Sequence, residues 1–283
     1  MTELTPIALA LFSAVTLAAT NAVVKAGNDV FAGRVILAGF SSALLLPATL
    51  LVPLPNVATL SAIGLSCCAH AVYQLGLVKA LQPGDLSLVF PIMRGCAPLG
   101  VAIGAWLVFG ETLSPLAFAG LLAATGGVIG FALPYGHLGG TRLDRATLAW
   151  SLLTALGIAL YSVADARGIR AEANPFTFIV WLFIAEGLWL NTLALMLRGN
   201  GLIAAYRSLW RFGISAAIGA ILSYGAMLLA FYSYDTARAS ALRETSIVFA
   251  ALFGAVFLGE SFGRRRTALA ALVAAGLVVM QLF

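Results

Sequence analysis

PIMRGCAPLGVAIGAWLVFGE, residues Pro91 to Glu111, has a second copy in this chain: SALRETSIVFAALFGAVFLGE, residues Ser240 to Glu260. Arg94 falls on Arg243, and Gly110-Glu111 falls on Gly259-Glu260, at one constant offset of 149 residues. Both stretches are continuously apolar apart from the arginine and its neighbours. A permanently charged guanidinium that far into an apolar span is disfavoured, and here it occurs twice. The pair predicts a duplicated membrane protein that keeps a polar feature in both halves.

Composition agrees. The chain has 283 residues, of which 61% are hydrophobic and 10% charged, and its mean hydropathy is +1.02. A water-soluble domain places charge at roughly a quarter of its positions. Lipid is therefore the expected solvent for most of the surface. In lipid the backbone must satisfy its own hydrogen bonds, which leaves helices or closed barrels. Barrel strands alternate apolar and polar residues. These segments stay apolar over roughly 20 residues, the length of a membrane helix.

The reading gives an all-α integral membrane fold of ten spans, at about 5–25, 31–52, 57–80, 86–109, 113–134, 147–165, 175–197, 210–233, 237–258 and 265–283. The polar run YGHLGGTRLDR, Tyr135 to Arg145, separates two sets of five. That divides the chain into repeat 1 (1–134), a connection (135–146) and repeat 2 (147–283). A unit with an odd number of spans re-enters the membrane upside down when repeated. The result is an inverted repeat, with the substrate site expected near the midplane between the copies. The N-terminal MTELTP lacks the basic start of a secretory leader, so the first apolar stretch is read as a span.

Lys and Arg sort unevenly across this topology. Lys25, Arg34, Lys79, Arg142, Arg145, Arg198, Arg207, Arg211 and Arg264 to Arg266 fall on one side, eleven in all. Arg167, Arg170 and Arg238 fall on the other. The positive-inside rule then places the first group in the cytoplasm and both termini outside. Such a charge distribution offers no nucleic-acid surface. Cys67, Cys68 and Cys96 lie in apolar spans without metal-ligand spacing, so neither a metal nor a cofactor is expected. Gly100/Gly104 and Gly126/Gly130 allow close helix approach, a spacing too common to distinguish a monomer from a homodimer.

The candidate site residues follow from cost in lipid. Arg94 lies roughly 12 Å into the fourth span and Arg243 roughly 9 Å into the ninth, at 1.5 Å per residue. Inversion would put one on each side of the midplane. Guanidinium suits bidentate capture of carboxylate or phosphate. Each could equally pair with an internal carboxylate and lock the bundle. Glu186, mid-way along the seventh span, is read either as a proton carrier or amine contact, or as the counter-ion of Arg94 or Arg243. Glu244 is the weaker candidate, since neighbouring helix positions diverge by about 100°. His70 shares a helix face with Tyr73 and Gln74 and could carry a proton or a ligand, or simply satisfy a core hydrogen bond. Asn21, Tyr161, Ser223 and Tyr224 could line the same cavity. Trp181 and Trp189 flank Glu186. Pro91 and Pro98 interrupt the fourth span and could kink it as a gate. No catalytic residue is assigned: metalloprotease, serine-hydrolase and phosphate-loop motifs are missing from the sequence.

The run from Pro91 to Gly130, and the run LRETSIVFAALFGAVFLGESFGRRRTALAALVAAGLVV in the second half, resemble half-repeats of the drug/metabolite transporter superfamily. Each is similar to the end of an EamA-like permease domain, where an apolar helix closes on Leu/Phe-Gly-Glu before a turn and a last helix. The resemblance implies two such domains, ten helices, a central cavity and export of small metabolites, amino acids among them, across a bacterial-type inner membrane. Ten-span members are usually described with cytoplasmic termini, the reverse of the charge count. The expected activity is alternating-access transport of a small substrate, an amino acid or other carboxylate favoured, with proton coupling and uncoupled exchange both open. An organic-cation exporter using Glu186 is the alternative. A membrane receptor or structural subunit that moves nothing is the alternative of another class.

Overall fold

The computed structural model describes residues 4–25, 30–81, 86–130, 144–249 and 264–283. Those residues are largely helical and contain no strand. In order they form α1 (Leu4–Lys25), α2 (Val30–Leu45) with a 3-10 turn at Leu46–Leu50, α3 (Val57–Leu81), α4 (Leu86–Phe109) and α5 (Pro115–Gly130). They continue as α6 (Arg145–Arg170), α7 (Pro175–Arg198), α8 (Asn200–Ser233), α9 (Thr236–Arg243) and α10 (Arg264–Leu282). The connecting run Tyr135 to Arg142, the second half of the ninth expected span, and Gly259-Glu260 lie outside the described residues.

Local sequence sets the helix ends. Asn56 Oδ1 accepts from Thr59 N at 2.9 Å at the start of α3. Ser114 Oγ accepts from Ala117 N at 3.1 Å, just before Pro115 opens α5. Asn174 caps α7, accepting from Phe176 N at 3.0 Å, with Pro175 in the first turn. Side chains of this kind satisfy backbone donors that the first helical turn leaves over, and proline loses nothing there.

Among the described residues, six helical segments are long and apolar enough to cross a membrane: 31–50, 57–80, 89–109, 145–170, 175–198 and 201–233. Three more apolar helices, 4–20, 115–130 and 267–282, are shorter. The exposed surface is itself apolar: Leu50, Leu51 and Leu54 are each at least 80% exposed, and Trp106 and Leu188 more than half. Large apolar side chains facing outward on several helices fit a hydrocarbon surround.

The helices fall into two compact units. One comprises Met1–Cys67 and Ala164–Ser233, the other Cys68–Val163 and Tyr234–Phe283. Each draws on both halves of the sequence, and α3 and α6 contribute to both.

In the first unit α1 runs antiparallel to α8, tied by Ser223 Oγ donating to Ser13 O at 2.9 Å. α2 packs on α7, where Val35, Leu190, Ala194 and Leu202 form a buried cluster. Asn191 Nδ2 donates to Val35 O at 3.3 Å, and Tyr206 donates to Asn191 Oδ1 at 2.7 Å.

In the second unit α5 crosses α10 at backbone contact. A Cβ on Gly120 would meet Gly276 O at 2.5 Å, and one on Gly276 would meet Ala124 N at 2.6 Å. Gly127 faces Val273 and the Leu269 carbonyl. These contacts are reciprocal at the sequence offset of 149: Gly120 meets the counterpart of Gly127, and Gly127 meets the counterpart of Gly120. Leu121, Val128, Val273, Leu277 and Met280 fill the interface. Of the expected glycine pairs, Gly100 and Gly104 seat Ala159 and Val163 of α6, whereas Gly126 faces open space.

The fourth and ninth spans differ from each other. α4 is continuous from Leu86 to Phe109 although Pro91 and Pro98 lie inside it. The expected ninth span is instead broken: α9 ends at Arg243, and Glu244 and Thr245 form a turn before helix resumes at Ser246. There Glu244 N bonds Ala241 O at 3.0 Å and Thr245 N bonds Leu242 O at 3.2 Å. These tighter i to i+3 bonds interrupt the α-helical ladder.

Candidate functional site

The second unit holds the arginines. Arg94 and Arg243 are each 9% exposed, and Glu244 is 4% exposed. Arg94 Nη1 pairs with Glu244 Oε1 at 3.2 Å. Both guanidinium groups interact electrostatically with this one carboxylate. The carboxylate paired with Arg94 is thus Glu244, the weaker candidate by sequence, while Glu186 belongs to the other unit. The helix break explains it. A turn at 244–245 releases Glu244 from the regular 100° spacing that would have carried it away from the arginine face.

Aromatic rings stand beside this trio. His70 stacks on Tyr161 with centroids 4.1 Å apart and planes 13° apart. Tyr73 meets Tyr161 edge-on at 5.9 Å and His70 at 6.4 Å. Tyr161 interacts electrostatically with both Arg243 and Arg94. His70, Tyr73, Tyr161, Arg94 and Arg243 therefore lie together in the second unit. Gln74 is half-buried on the same helix. Pro98 sits with Gly95, Thr125, Ala241 and Glu244 around a void of about 10 Å³, close to the smallest space that admits one water.

The Gly-Glu pair after α4 has a distinct task. Gly110 adopts φ +71°, a conformation with no steric penalty for glycine. Its N–H returns to Trp106 O at 3.0 Å and ends the helix. Glu111 then reaches the start of α9, accepting from Thr236 N at 2.7 Å and Thr236 Oγ1 at 3.0 Å. A carboxylate there satisfies an unpaired donor and meets the positive end of the helix dipole.

The first unit holds a second polar group. Glu186 on α7 is near Trp189 and Cys67 and interacts electrostatically with Asp165 and Arg34. Asp165 on α6 is fully buried and accepts a short hydrogen bond from Tyr224. Tyr224 also meets Phe183 edge-on at 6.3 Å. Trp181 points elsewhere, donating to Pro53 O at 3.2 Å. Asn21 lies in α1, and its side chain is outside the described residues.

Sequence reading missed Asp165 and Arg34. Asp165 stands in ADARGIR at the end of a span, where charge is ordinary at a membrane surface. Arg34, sorted with the charges of one membrane side at a span end, lies inside α2. The signal available was their place inside the expected spans 31–52 and 147–165, where a charge needs a partner. Among the described residues no cluster of His, Cys, Asp and Glu has metal-binding spacing.

No curated protein matches the chain. A protein of known crystal structure is similar over 98% of each chain, with TM-score 0.76 at 18% identity, a likeness of fold alone. Residues 145–282 match the EamA-like transporter family. A chain whose described residues are largely helical, with several apolar helices fit to span a membrane, thus carries an EamA-like transporter domain over residues 145–282.

Proposed function

We infer that the chain is a secondary transporter that exports a small carboxylate-bearing metabolite, amino acids among them, by alternating access. The family match supports transport of a small solute. The observation that carries the substrate class is the buried trio of Arg94, Arg243 and Glu244, two fixed cations around one anion. Other described carboxylates of that unit are engaged elsewhere: Glu111 at Thr236, Asp144 at Thr147 and Asp235 at Arg238. Guanidinium groups held in this way suit recognition of a carboxylate.

The ten-span, two-domain inverted repeat remains the architecture of this reading. Reciprocal contacts of α5 with α10 at one sequence offset support it. So does the pairing of Arg94 with the residue next to its own counterpart, Arg243. The proposed setting is a bacterial-type inner membrane with both termini outside.

The test is flux in proteoliposomes. Efflux of a labelled carboxylate should occur in the wild type and fall at least tenfold in Arg94→Gln. Undiminished flux in that variant would refute the arginine site, and ligand stabilisation without any flux would favour a receptor. A second reading, export of an organic cation, is favoured by the acidic pair Asp165 and Glu186. Cation flux abolished by Glu186→Gln but kept in Arg94→Gln would select it. An imposed pH gradient in the same vesicles tests proton coupling through Glu186 or His70.

A further inference from the structure

Glu244 feels both guanidinium groups but is hydrogen-bonded through only one of its carboxylate oxygens. Its Oε1 bonds Arg94 through a single contact at 3.2 Å, longer than the 2.7–2.9 Å usual for a charge-assisted pair. Its Oε2 is buried and makes no hydrogen bond among the described residues. A guanidinium can grip a carboxylate through two parallel bonds, and Arg94 is not offered that geometry here. The side chain is 6% exposed, so bulk water does not make up the difference.

Glu244 also lies in the break of its helix. It is the C-cap of α9, and its carbonyl accepts from Ile247 N at 3.1 Å as the helix restarts. At the equivalent place in α4 stand Gly95 and Cys96, and that helix is unbroken. The carboxylate and the break thus occur together in one repeat and are missing together from the other. The void beside Glu244, about 10 Å³, is far smaller than a metabolite.

We propose that Glu244 is an internal stand-in for the substrate's carboxylate: an arriving monocarboxylate with an aromatic or compact apolar body takes Arg94 from it, and its release lets the broken helix at 243–246 rearrange. The aromatic trio His70, Tyr73 and Tyr161 receives the body of the ligand. Exchange of one carboxylate for another keeps the charge of the site constant, so no step leaves two buried guanidinium groups without an anion. This rests on the carboxylate-transport reading and adds to it a competitor and a moving element.

The experiment measures phenylacetate and phenylalanine binding to the purified full-length protein in detergent, with phenylacetamide as the uncharged control. Removing the competitor in Glu244→Gln should tighten carboxylate binding at least tenfold and leave phenylacetamide unchanged. Glu244→Asp, too short to reach Arg94, should tighten it in the same direction. In the wild type, saturating phenylacetate should speed amide hydrogen exchange at 243–249, a readout that needs no variant to fold. Equal or weaker binding in both variants, or unchanged exchange at 243–249, overturns the proposal. If the wild type still binds carboxylates and Arg94→Gln does not, the transport reading survives that failure. If neither wild type nor Glu244→Gln binds either acid, both fall.

Discussion

Glu111 and Thr236 join the end of α4 to the beginning of α9, the carboxylate of one receiving the backbone N–H of the other at 2.7 Å and its hydroxyl at 3.0 Å. The Gly-Glu signature thus closes one helix and caps another that lies 125 residues on. Glu111→Ala should lower stability by about 1–3 kcal/mol, the range from a lost cap to a lost charge-assisted hydrogen bond. Glu111→Gln, which keeps an acceptor, should lose less. Unfolding midpoints in detergent decide it; equal midpoints for wild type and Glu111→Ala would show that the contact adds nothing.

The α5–α10 crossing depends on missing side chains. Gly276→Ala puts a methyl 2.6 Å from two backbone atoms, Ala124 N and Gly120 O, which cannot retreat as a flexible side chain could. Overpacking of this sort costs about 1–3 kcal/mol. Gly126→Ala meets nothing within 4 Å and should be neutral or stabilising by up to about 1 kcal/mol. Thermal midpoints that shift alike in the two variants would contradict the packing described.

Tyr224→Phe removes the donor to the fully buried Asp165 carboxylate. A hydrogen bond to a charged group contributes about 1.5–3 kcal/mol, and the variant should be destabilised by that order. Tyr232→Phe loses only an exposed 3.4 Å contact to Ala173 O and serves as the control. Denaturation of both variants side by side provides the comparison.

At the head of α6, Asp144 is held below the usual carboxylate range by hydrogen bonds from Thr147, from the side chain first and then the backbone. A carboxyl group depressed in the folded state stabilises above its unfolded pKa, near 3.9. That contribution is lost as pH falls through the folded value. Amide exchange in the first turn of α6 should therefore accelerate as pH falls below about 4 relative to its intrinsic rate. In Asp144→Ser, which caps without titrating, the acceleration should vanish.

Much of this arrangement was legible in the residues. Continuous apolar runs called for helices because lipid leaves a backbone no other partner. Arg94 and Arg243 stood out because charge is so disfavoured there. Glu244 did not, because its position beside Arg243 assumes an unbroken helix, and the turn at 244–245 exists only in the packed structure. Asp165 resembled an ordinary charge at a span end until α6 carried it into the interior beside Tyr224.

Amino-acid order alone decided which segments are helical, where most of them stop and which charges must be sheltered, since each follows from local hydrogen bonding and solvation. Which carboxylate meets which guanidinium was decided by tertiary structure. Such pairing depends on a few ångströms of helix crossing and on where a helix breaks, and neither is encoded in any one stretch of chain.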